Sequence, residues 1–220
     1  MIADHSVLLG YIHGGTVRAE FMRSVLAAVT GPDACPLIGG VSDCSAGPLI
    51  AMARNILCRQ FLAGSMEWLW CVDTDIVFAP GTLPALAAAA DAAERPVMSG
   101  LYWVAAREQQ VPAAYHAHAA DGDGELTFSP FKDWPDGTLL KVHAAGAGCL
   151  LIHRGVLEKI QADAGGAEVW FRESMHGSRH IGEDLSFCIR AAAAGFGLYV
   201  HTGVQVGHVK PVIMGEVRLP

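Results

Sequence analysis

The sequence Trp68-Leu69-Trp70-Cys71-Val72-Asp73-Thr74-Asp75-Ile76-Val77-Phe78 is an apolar run interrupted by two carboxylates. A short run rich in aromatic and β-branched residues predicts a strand buried on both faces, as in a parallel sheet. Two buried carboxylates are unfavourable unless another charge compensates them. Asp73 and Asp75 point to the same side of an extended backbone, because side chains alternate along a strand. The pair therefore predicts a site for a hard divalent cation, Mg²⁺ or Mn²⁺, at the mouth of a sheet.

An isolated Asp-x-Asp pattern is more often a polar turn or a helix cap, because short motifs match frequently by chance. Here the carboxylates follow a strand that its apolar composition places in the middle of a sheet. Ligands of open α/β sheets gather at the carboxyl ends of the strands, which favours a binding site over a plain turn.

The composition limits the classes of protein to consider. The 220 residues suffice for one domain, or a small two-lobed one, with a substantial core, and the net charge of −7 argues against general binding to nucleic-acid backbone. We expect no signal peptide, because the N-terminus lacks a basic region followed by an apolar stretch and a cleavage site. We also expect no membrane span, because the alanine-rich run at residues 85–93 is short and contains Asp91. The six cysteines form no Cys-x-x-Cys pair, so we expect reduced, partly buried thiols in a cytoplasmic protein.

Strand and helix patterns alternate through the first half of the chain. We predict strands at residues 6–12, 37–41 and 96–103, and helices at residues 17–29, 48–62 and 82–93. This alternation predicts a largely parallel α/β sheet flanked by helices.

The pattern changes after residue 106. Turn signals in residues 107–136 predict an irregular excursion with one or two hairpins, and Asp121-Gly122-Asp123-Gly124 is one such turn. A calcium loop at Asp121 and Asp123 is the weaker interpretation, because its other ligands are missing.

The last third contains three predicted strands, two helices and two candidate site segments, and one of the strands is the apolar run Cys149-Leu150-Leu151-Ile152 that follows a small-residue bend. Strands are predicted at residues 139–143 and 198–206, and a helix is predicted at residues 156–162. A further helix begins at Gly182-Glu183-Asp184, where capping of the first turn is the alternative to a site role for the two acidic residues. The small residues of Gly146-Ala147-Gly148 would let a substrate lie against the backbone. Residues 170–180 are polar, aromatic and interrupted by glycine, which predicts a mobile loop over a site.

Four polar side chains of the first half are candidate nucleotide contacts. Tyr11 ends the first strand, where it could stack on a base or pack as an ordinary core or rim tyrosine. Asp43 could cap the chain or bind a ligand. Arg54 and Asn55 interrupt an apolar helix, where they could form a solvated face with a surface ion pair or reach a phosphate or base.

Taken together, the motifs resemble those of glycosyltransferases of the GT-A fold, family 2 type, over most of residues 51–210. The matching pieces are Asp73-Thr74-Asp75, Gly100-Leu101-Tyr102, Gly146-Ala147-Gly148-Cys149, Gly182-Glu183-Asp184 with Phe187, Cys188 and Arg190, and the late Gly207-His208. The resemblance implies an α/β, GT-A-like fold, in which a mainly parallel central sheet is flanked by helices beside a small antiparallel or irregular acceptor-side region. It also implies a single domain, residues 1–220, with residues 1–105 binding the nucleotide-sugar and residues 106–220 supplying the acceptor-side and catalytic groups.

The same resemblance implies a metal-dependent hexosyltransferase with a UDP- or GDP-sugar donor. Asp75 would bind Mn²⁺ or Mg²⁺ directly, Asp73 would contact the metal or the ribose, and His208 would complete the metal shell. Lys210 would then pair with the diphosphate. The acceptor is not indicated by the sequence.

The remaining roles also come from the resemblance. Arg54 and Asn55 would lie near the nucleotide. Asp43 matches only loosely the acidic residue that binds the nucleotide base in this family. Asp184 resembles the general base of inverting members, with Glu183 orienting the acceptor or sharing that role.

Three points stay open at the level of sequence. The histidine followed by Lys210-Pro211 resembles some retaining members, whereas Glu-Asp on a helix is typical of inverting ones. A sugar nucleotidyltransferase is an alternative, although His13-Gly14-Gly15-Thr16-Val17-Arg18 is a poor phosphate loop. A non-catalytic nucleotide-sugar-binding or scaffold protein is the other, and the intact set Asp73, Asp75, Asp184 and His208 argues against it.

Overall fold

The computed structural model of the protein describes residues 1–45, 47–106, 109–119 and 125–211. Its helices are α1 (Ala19–Val29), α2 (Ile50–Ala63), α3 (Thr82–Ala89), α4 (Arg154–Asp163) and α5 (Glu183–Ala193). Its strands are β1 (Val7–His13), β2 (Ile38–Ser45), β3 (Trp68–Asp73), β4 (Ile76–Val77), β5 (Val97–Leu101), β6 (Trp103–Ala106), β7 (Gln109–Pro112), β8 (Ala114–Ala119), β9 (Leu126–Pro130), β10 (Leu139–Val142), β11 (Ala144–Ala145), β12 (Cys149–His153), β13 (Ser174–His176), β14 (Arg179–Ile181), β15 (Leu198–Gln205) and β16 (Gly207–His208). The turn predicted at Asp121-Gly122-Asp123-Gly124, with its calcium-loop alternative, lies outside the described residues.

Seven strands form the central sheet in the order β10-β15-β5-β12-β3-β1-β2. Strands β2, β1, β3, β5 and β15 run in one direction, whereas β12 and β10 run antiparallel to their neighbours. The predicted α/β class, with a mainly parallel sheet between helices, is confirmed. Since β12 runs backwards, its amino end lies at the edge of the sheet where β3 ends, with Cys149 opposite Val72.

Strand β3 is buried on both faces, as its apolar run predicts. Leu69 and Cys71 belong to the core that the sheet shares with α2, α4 and α5, whereas Trp70 and Val72 belong to the core shared with α1 and α3. The sheet is thus the middle of three layers. Burial of an aliphatic side chain such as Leu69, which is 0% exposed, contributes roughly 1.5–3 kcal/mol to the free energy of unfolding.

The strand predicted over residues 68–78 is shorter in the structure, and its continuity was wrongly predicted. β3 ends at Asp73, Thr74 and Asp75 form a turn, and β4 then pairs antiparallel with β16 instead of continuing the central sheet. The physical reason is that carboxylates are unfavourable in the buried interior of a sheet. The turn carries them to the sheet edge, and the pairing of β4 with β16 brings the end of the described chain back to them.

The strands outside the central sheet pair antiparallel, in agreement with the predicted antiparallel or irregular region. β6 pairs with β7, β8 lies between β11 and β9 in a three-stranded sheet, and β13 pairs with β14. Residues 170–180, predicted as a loop, therefore contain most of the β13–β14 hairpin.

Helix ends mostly agree with the prediction to within two residues, apart from α3. This helix ends at Ala89 and not near residue 93, because the Asp91 carboxylate accepts the backbone N–H groups of Ala93 and Glu94 at 2.9 and 2.8 Å. Such a local side-chain bond offers the backbone an alternative to the helix.

Two expectations drawn from composition can be compared with the structure. All six cysteines are free and buried. The longest helix, α2, has 14 residues, and within the described ranges no helix is both long and apolar enough to cross a membrane.

Candidate functional site

A cleft of about 490 Å³ opens at the edge of the sheet where β1 and β3 end. It collects seven of the predicted site residues, which come from α2, the β3–β4 turn, the start of α5 and the segment after β15: Arg54, Asp73, Asp75, Glu183, Asp184, His208 and Lys210. Tyr11, Asp43 and Asn55 are not among its lining residues.

Asp75 lies on one side of the cleft between the side chains of His208 and Lys210. Its Oδ2 atom is 2.7 Å from Lys210 Nζ and 3.1 Å from His208 Nε2. Burial favours a higher pKa for Asp75, but the hydrogen bond from Lys210 and the charges of His208 and Lys210 outweigh it and hold the pKa below its usual value.

His208 is oriented by a backbone carbonyl. Its Nδ1 atom lies 2.8 Å from the Trp103 carbonyl oxygen, which only accepts, so Nδ1 carries a proton and donates. The Nε2 atom that faces Asp75 then either carries a second proton or presents its lone pair to a cation. Donation by the other ring nitrogen to a fixed acceptor is the usual arrangement of a metal-binding histidine.

Arg54 lies on the other side of the cleft and is 4% exposed. Its Nη2 atom donates to both oxygens of Asp73, at 2.7 and 2.9 Å, and its Nη1 atom donates to Glu183 Oε1. Burial favours a lower pKa for Arg54, but the negative charge of Asp73 and further acidic groups outweigh it, so the pKa is raised and the guanidinium stays charged.

Asp184 is the carboxyl group in the cleft whose pKa shifts upward. Burial raises the pKa of Asp184, and the opposing charge of Arg54 does not cancel that increase. Its Oδ1 atom accepts the backbone N–H of Leu185 at 2.7 Å, which fixes the carboxyl group on the first turn of α5. A half-buried carboxyl with a raised pKa binds a proton more strongly than an exposed one, so it can serve as a proton acceptor.

The three residues outside the lining have other contacts. The Tyr11 ring packs edge-to-face on Phe21 with 5.1 Å between ring centroids. Asn55 Oδ1 accepts the Phe171 backbone N–H at 2.9 Å, so Asn55 connects α2 to the segment before α5. Asp43 does not line the cleft itself but contacts the lining residue His13, whose Nε2 atom is 2.9 Å from Asp43 Oδ2.

His13 and Tyr102 also line the cleft, although they were named from the sequence only within motifs and not as site residues. His13 accepts the Gly15 N–H at Nδ1 and therefore donates from Nε2 to Asp43. Its position directly after β1, at the ligand-binding edge of the sheet, is the signal that could have identified it.

Tyr102 corrects the role predicted for the glycines at residues 146 and 148. A Cβ atom on Gly146 would lie 2.1 Å from Tyr102 Oη, and one on Gly148 would lie 2.9 Å from the same ring. The space beside these glycines is therefore filled by Tyr102, which accepts the Gly148 N–H at 3.0 Å, and not left for a substrate. The Tyr102 ring in turn contacts the His208 ring edge-on, with centroids 5.5 Å apart.

The residues fit a divalent cation in part. Within the described residues, no group of three His, Cys, Asp or Glu side chains is arranged to hold a metal ion. Asp75 and His208 supply one carboxylate and one imidazole, and Mg²⁺-type sites often use one or two protein ligands together with substrate phosphates and water. The donor set thus suits a cation that binds with a phosphate-bearing substrate.

Sequence comparison and structural comparison give different results. No protein-family model and no curated protein matches the sequence. The crystal structure of A197 from STIV matches with a TM-score of 0.63 and 19% identity, over 93% of this chain and 86% of that one.

A second solved structure, GalNAc-T7 with UDP, GalNAc and Mn²⁺, matches with a TM-score of 0.60 and 13% identity. The match covers 93% of this chain but only 44% of GalNAc-T7. At such identities the likeness establishes the fold, and the protein has the GT-A glycosyltransferase fold that its motifs predicted.

Proposed function

We propose that the protein is a metal-dependent hexosyltransferase that moves a sugar from a UDP- or GDP-sugar to an acceptor hydroxyl. The observation that carries the proposal is that the Asp75–His208 pair and the Asp184 carboxyl share one cleft. Donor activation and acceptor deprotonation need these two kinds of group within reach of the same sugar. The UDP, GalNAc and Mn²⁺ bound to GalNAc-T7 make UDP-sugars with Mn²⁺ the first donors to test.

Asp75 and His208 Nε2 would hold Mn²⁺ or Mg²⁺. When bound, the cation would act as a Lewis acid and stabilise the negative charge of the departing diphosphate. The Lys210 ammonium is 52% exposed, so it can turn from Asp75 towards a diphosphate oxygen and add a second positive charge.

Asp184 would accept the proton of the acceptor hydroxyl in an inverting transfer. Glu183 is paired with Arg54, whereas Asp184 has no cationic side chain within hydrogen-bonding distance among the described residues. The raised pKa makes Asp184 a stronger proton acceptor than an ordinary aspartate carboxylate, which favours it for the role of general base.

Two broader assignments belong to the same proposal. Residues 1–105 would form the donor half, since they contain Asp73 at the end of β3 and Asp75 in the turn that follows. Residues 106–220 would form the acceptor and catalytic half, since they contain Asp184. A cytoplasmic location is supported by six buried cysteines without a disulfide, as is usual in reducing compartments.

The test is turnover of UDP- and GDP-sugars with Mn²⁺ or with EDTA, followed by release of the nucleoside diphosphate. We expect turnover with one nucleotide class in Mn²⁺, its loss in EDTA, and its loss in Asp75→Ala. Asp133→Ala removes an exposed aspartate that does not line the cleft and should leave turnover unchanged. Equal turnover in Asp75→Ala and the wild type would contradict the proposal, and so would the absence of any turnover.

A further inference from the structure

Arg54 connects two parts of the cleft that must keep a fixed distance and orientation for the proposed reaction. Asp73 ends β3, the strand that leads to Asp75, and Glu183 begins α5, the helix that carries Asp184. One guanidinium group donates to both carboxylates, across 19 and 129 residues of sequence.

We propose that Arg54 is a positioning residue that ties β3 to α5 and thereby sets the place of Asp184 relative to Asp75. Asp73 and Glu183 act as its two anchors, and neither serves as metal ligand or base. This inference rests on the proposed function in so far as Asp75 and Asp184 are the groups that are positioned.

The bridge is rigid because its centre cannot move into water. Arg54 is 4% exposed, and its guanidinium carbon lies 5.6 Å from the centroid of the Phe171 ring. Burial makes separation from either carboxylate unfavourable, since an unpaired charge would remain in the interior. The planar fork of an arginine can serve two carboxylates at once, whereas a lysine ammonium behaves as a single point charge.

Asp73 and Asp75 differ in the positively charged side chain with which each one pairs. Both Asp73 oxygens accept from Arg54 Nη2, so a divalent cation bound there would stand beside a guanidinium that cannot leave. The cation that pairs with Asp75 is the half-exposed Lys210, which can be displaced. Asp75 is therefore available to bind a metal ion, whereas Asp73 stays paired with Arg54.

Glu183 transmits the same constraint to the helix. It is the first residue of α5, and Asp184 is the second. Fixing the Glu183 side chain limits the rotation and fraying of this turn, which is otherwise the mobile end of a helix.

The first experiment compares metal binding in Asp73→Asn, Glu183→Gln and Asp75→Asn by calorimetric titration with Mn²⁺ in the presence of saturating UDP or GDP, which supplies the phosphate oxygens that such a site needs. We expect Asp73→Asn and Glu183→Gln to keep the Mn²⁺ dissociation constant within about threefold, and Asp75→Asn to weaken it more than about tenfold, as loss of a ligand does. A loss in Asp73→Asn as large as in Asp75→Asn would overturn the inference, because Asp73 would then be a ligand.

The second experiment measures donor turnover in Arg54→Lys, with Arg59→Lys as the matched control. Arg59 lies on the same helix and pairs with Glu168 at 3.1 Å, but it is 56% exposed. We expect Arg54→Lys to lower kcat at least about tenfold with little change in the donor KM, because misplacement of a catalytic group affects the transition state more than donor binding. Equal kcat in the two variants would overturn the inference.

Hydrogen exchange tests the bridge without reference to turnover. We expect the Ser186 backbone amide, which donates to the Gly182 carbonyl at 2.9 Å and so closes the first turn of α5, to exchange faster in Asp73→Asn and in Glu183→Gln than in the wild type, although Asp73 lies on a strand. Both substitutions keep the size of the side chain, and circular dichroism verifies that each variant is folded. If no donor is turned over, the proposed function fails, and unchanged exchange in either variant independently overturns the bridge.

Discussion

Asp73 and Asp75 are separated by one threonine, yet they meet different kinds of positive charge. Asp73 accepts from Arg54, which is 4% exposed, whereas Asp75 accepts from Lys210, which is 52% exposed, and lies 3.1 Å from His208 Nε2. A buried partner cannot be exchanged without leaving a charge unpaired, but an exposed ammonium can turn into water. Two identical side chains of one short motif can thus serve as a fixed anchor and as an exchangeable ligand, and their surroundings make the difference.

The largest effect is expected from removal of the buried partner. Arg54→Met leaves Asp73 and Glu183 facing each other without a cation, and we expect a loss of about 3–5 kcal/mol in the free energy of unfolding. At roughly 2–4 °C per kcal/mol for a chain of this length, Tm should fall by roughly 6–20 °C. Thermal unfolding of Arg54→Met, with Arg59→Met as the control, measures this fall in Tm. Equal losses in the two variants would contradict the claim that the buried ion pair contributes more than the exposed one.

A second effect distinguishes Asp184 from Asp75 by the sign of its pH dependence. The pKa of Asp184 is raised in the folded protein, so its ionised form disfavours folding, and this cost grows as pH rises from its ordinary pKa of about 3.9 through the raised value. We expect Asp184→Asn to raise the free energy of unfolding at pH 7, with a gain that disappears in acid.

The opposite sign is expected for Asp75, whose pKa is lowered. Its ionised form contributes stability above its ordinary pKa, and that contribution is lost as pH falls through the lowered value. Asp75→Asn should therefore be less stable than the wild type at pH 7 and equal to it in acid. Urea titrations of the two variants at pH 7 and near pH 3 measure the difference, and changes of the same sign would show that the two environments are alike.

The smallest effect is expected from the exposed partner. Lys210→Ala should lower the free energy of unfolding by only about 0–1 kcal/mol, because an exposed ion pair is weak and is screened by salt. Chemical denaturation at low and high salt measures this change, which should shrink further at high salt. A loss comparable with that of Arg54→Met would mean that Lys210 is held in place and is not free to meet a diphosphate.

Local signals in the sequence were sufficient for much of the fold. The apolar run before Asp73 predicted a strand buried on both faces, and β3 has this environment. Glu183 and Asp184 predicted the start of a helix, and α5 begins at Glu183. Such patterns depend on neighbouring residues, which a sequence displays directly.

Side-chain partners were harder to predict, because they depend on segments far apart in the chain. Arg54 and Asn55 were both predicted to lie near the nucleotide, but the side chains of neighbouring residues on a helix point about 100° apart. Arg54 therefore faces Asp73 and Glu183, whereas Asn55 faces the backbone of Phe171. The departure of residues 76–77 from the central sheet was missed for a similar reason, since it depends on pairing between β4 and the distant β16.

The close contact between Gly146 and Tyr102 has a consequence for how this sequence can vary. A side chain at Gly146 would meet the Tyr102 hydroxyl at 2.1 Å, so the first position cannot enlarge while the second keeps its phenol. The two positions should therefore be inherited as a linked pair, in which a larger residue at one is accompanied by a smaller ring or none at the other. Because the Tyr102 ring also contacts His208, an exchange at this pair should appear together with changes at His208, and this three-position linkage would mark distant relatives that overall identity does not reveal.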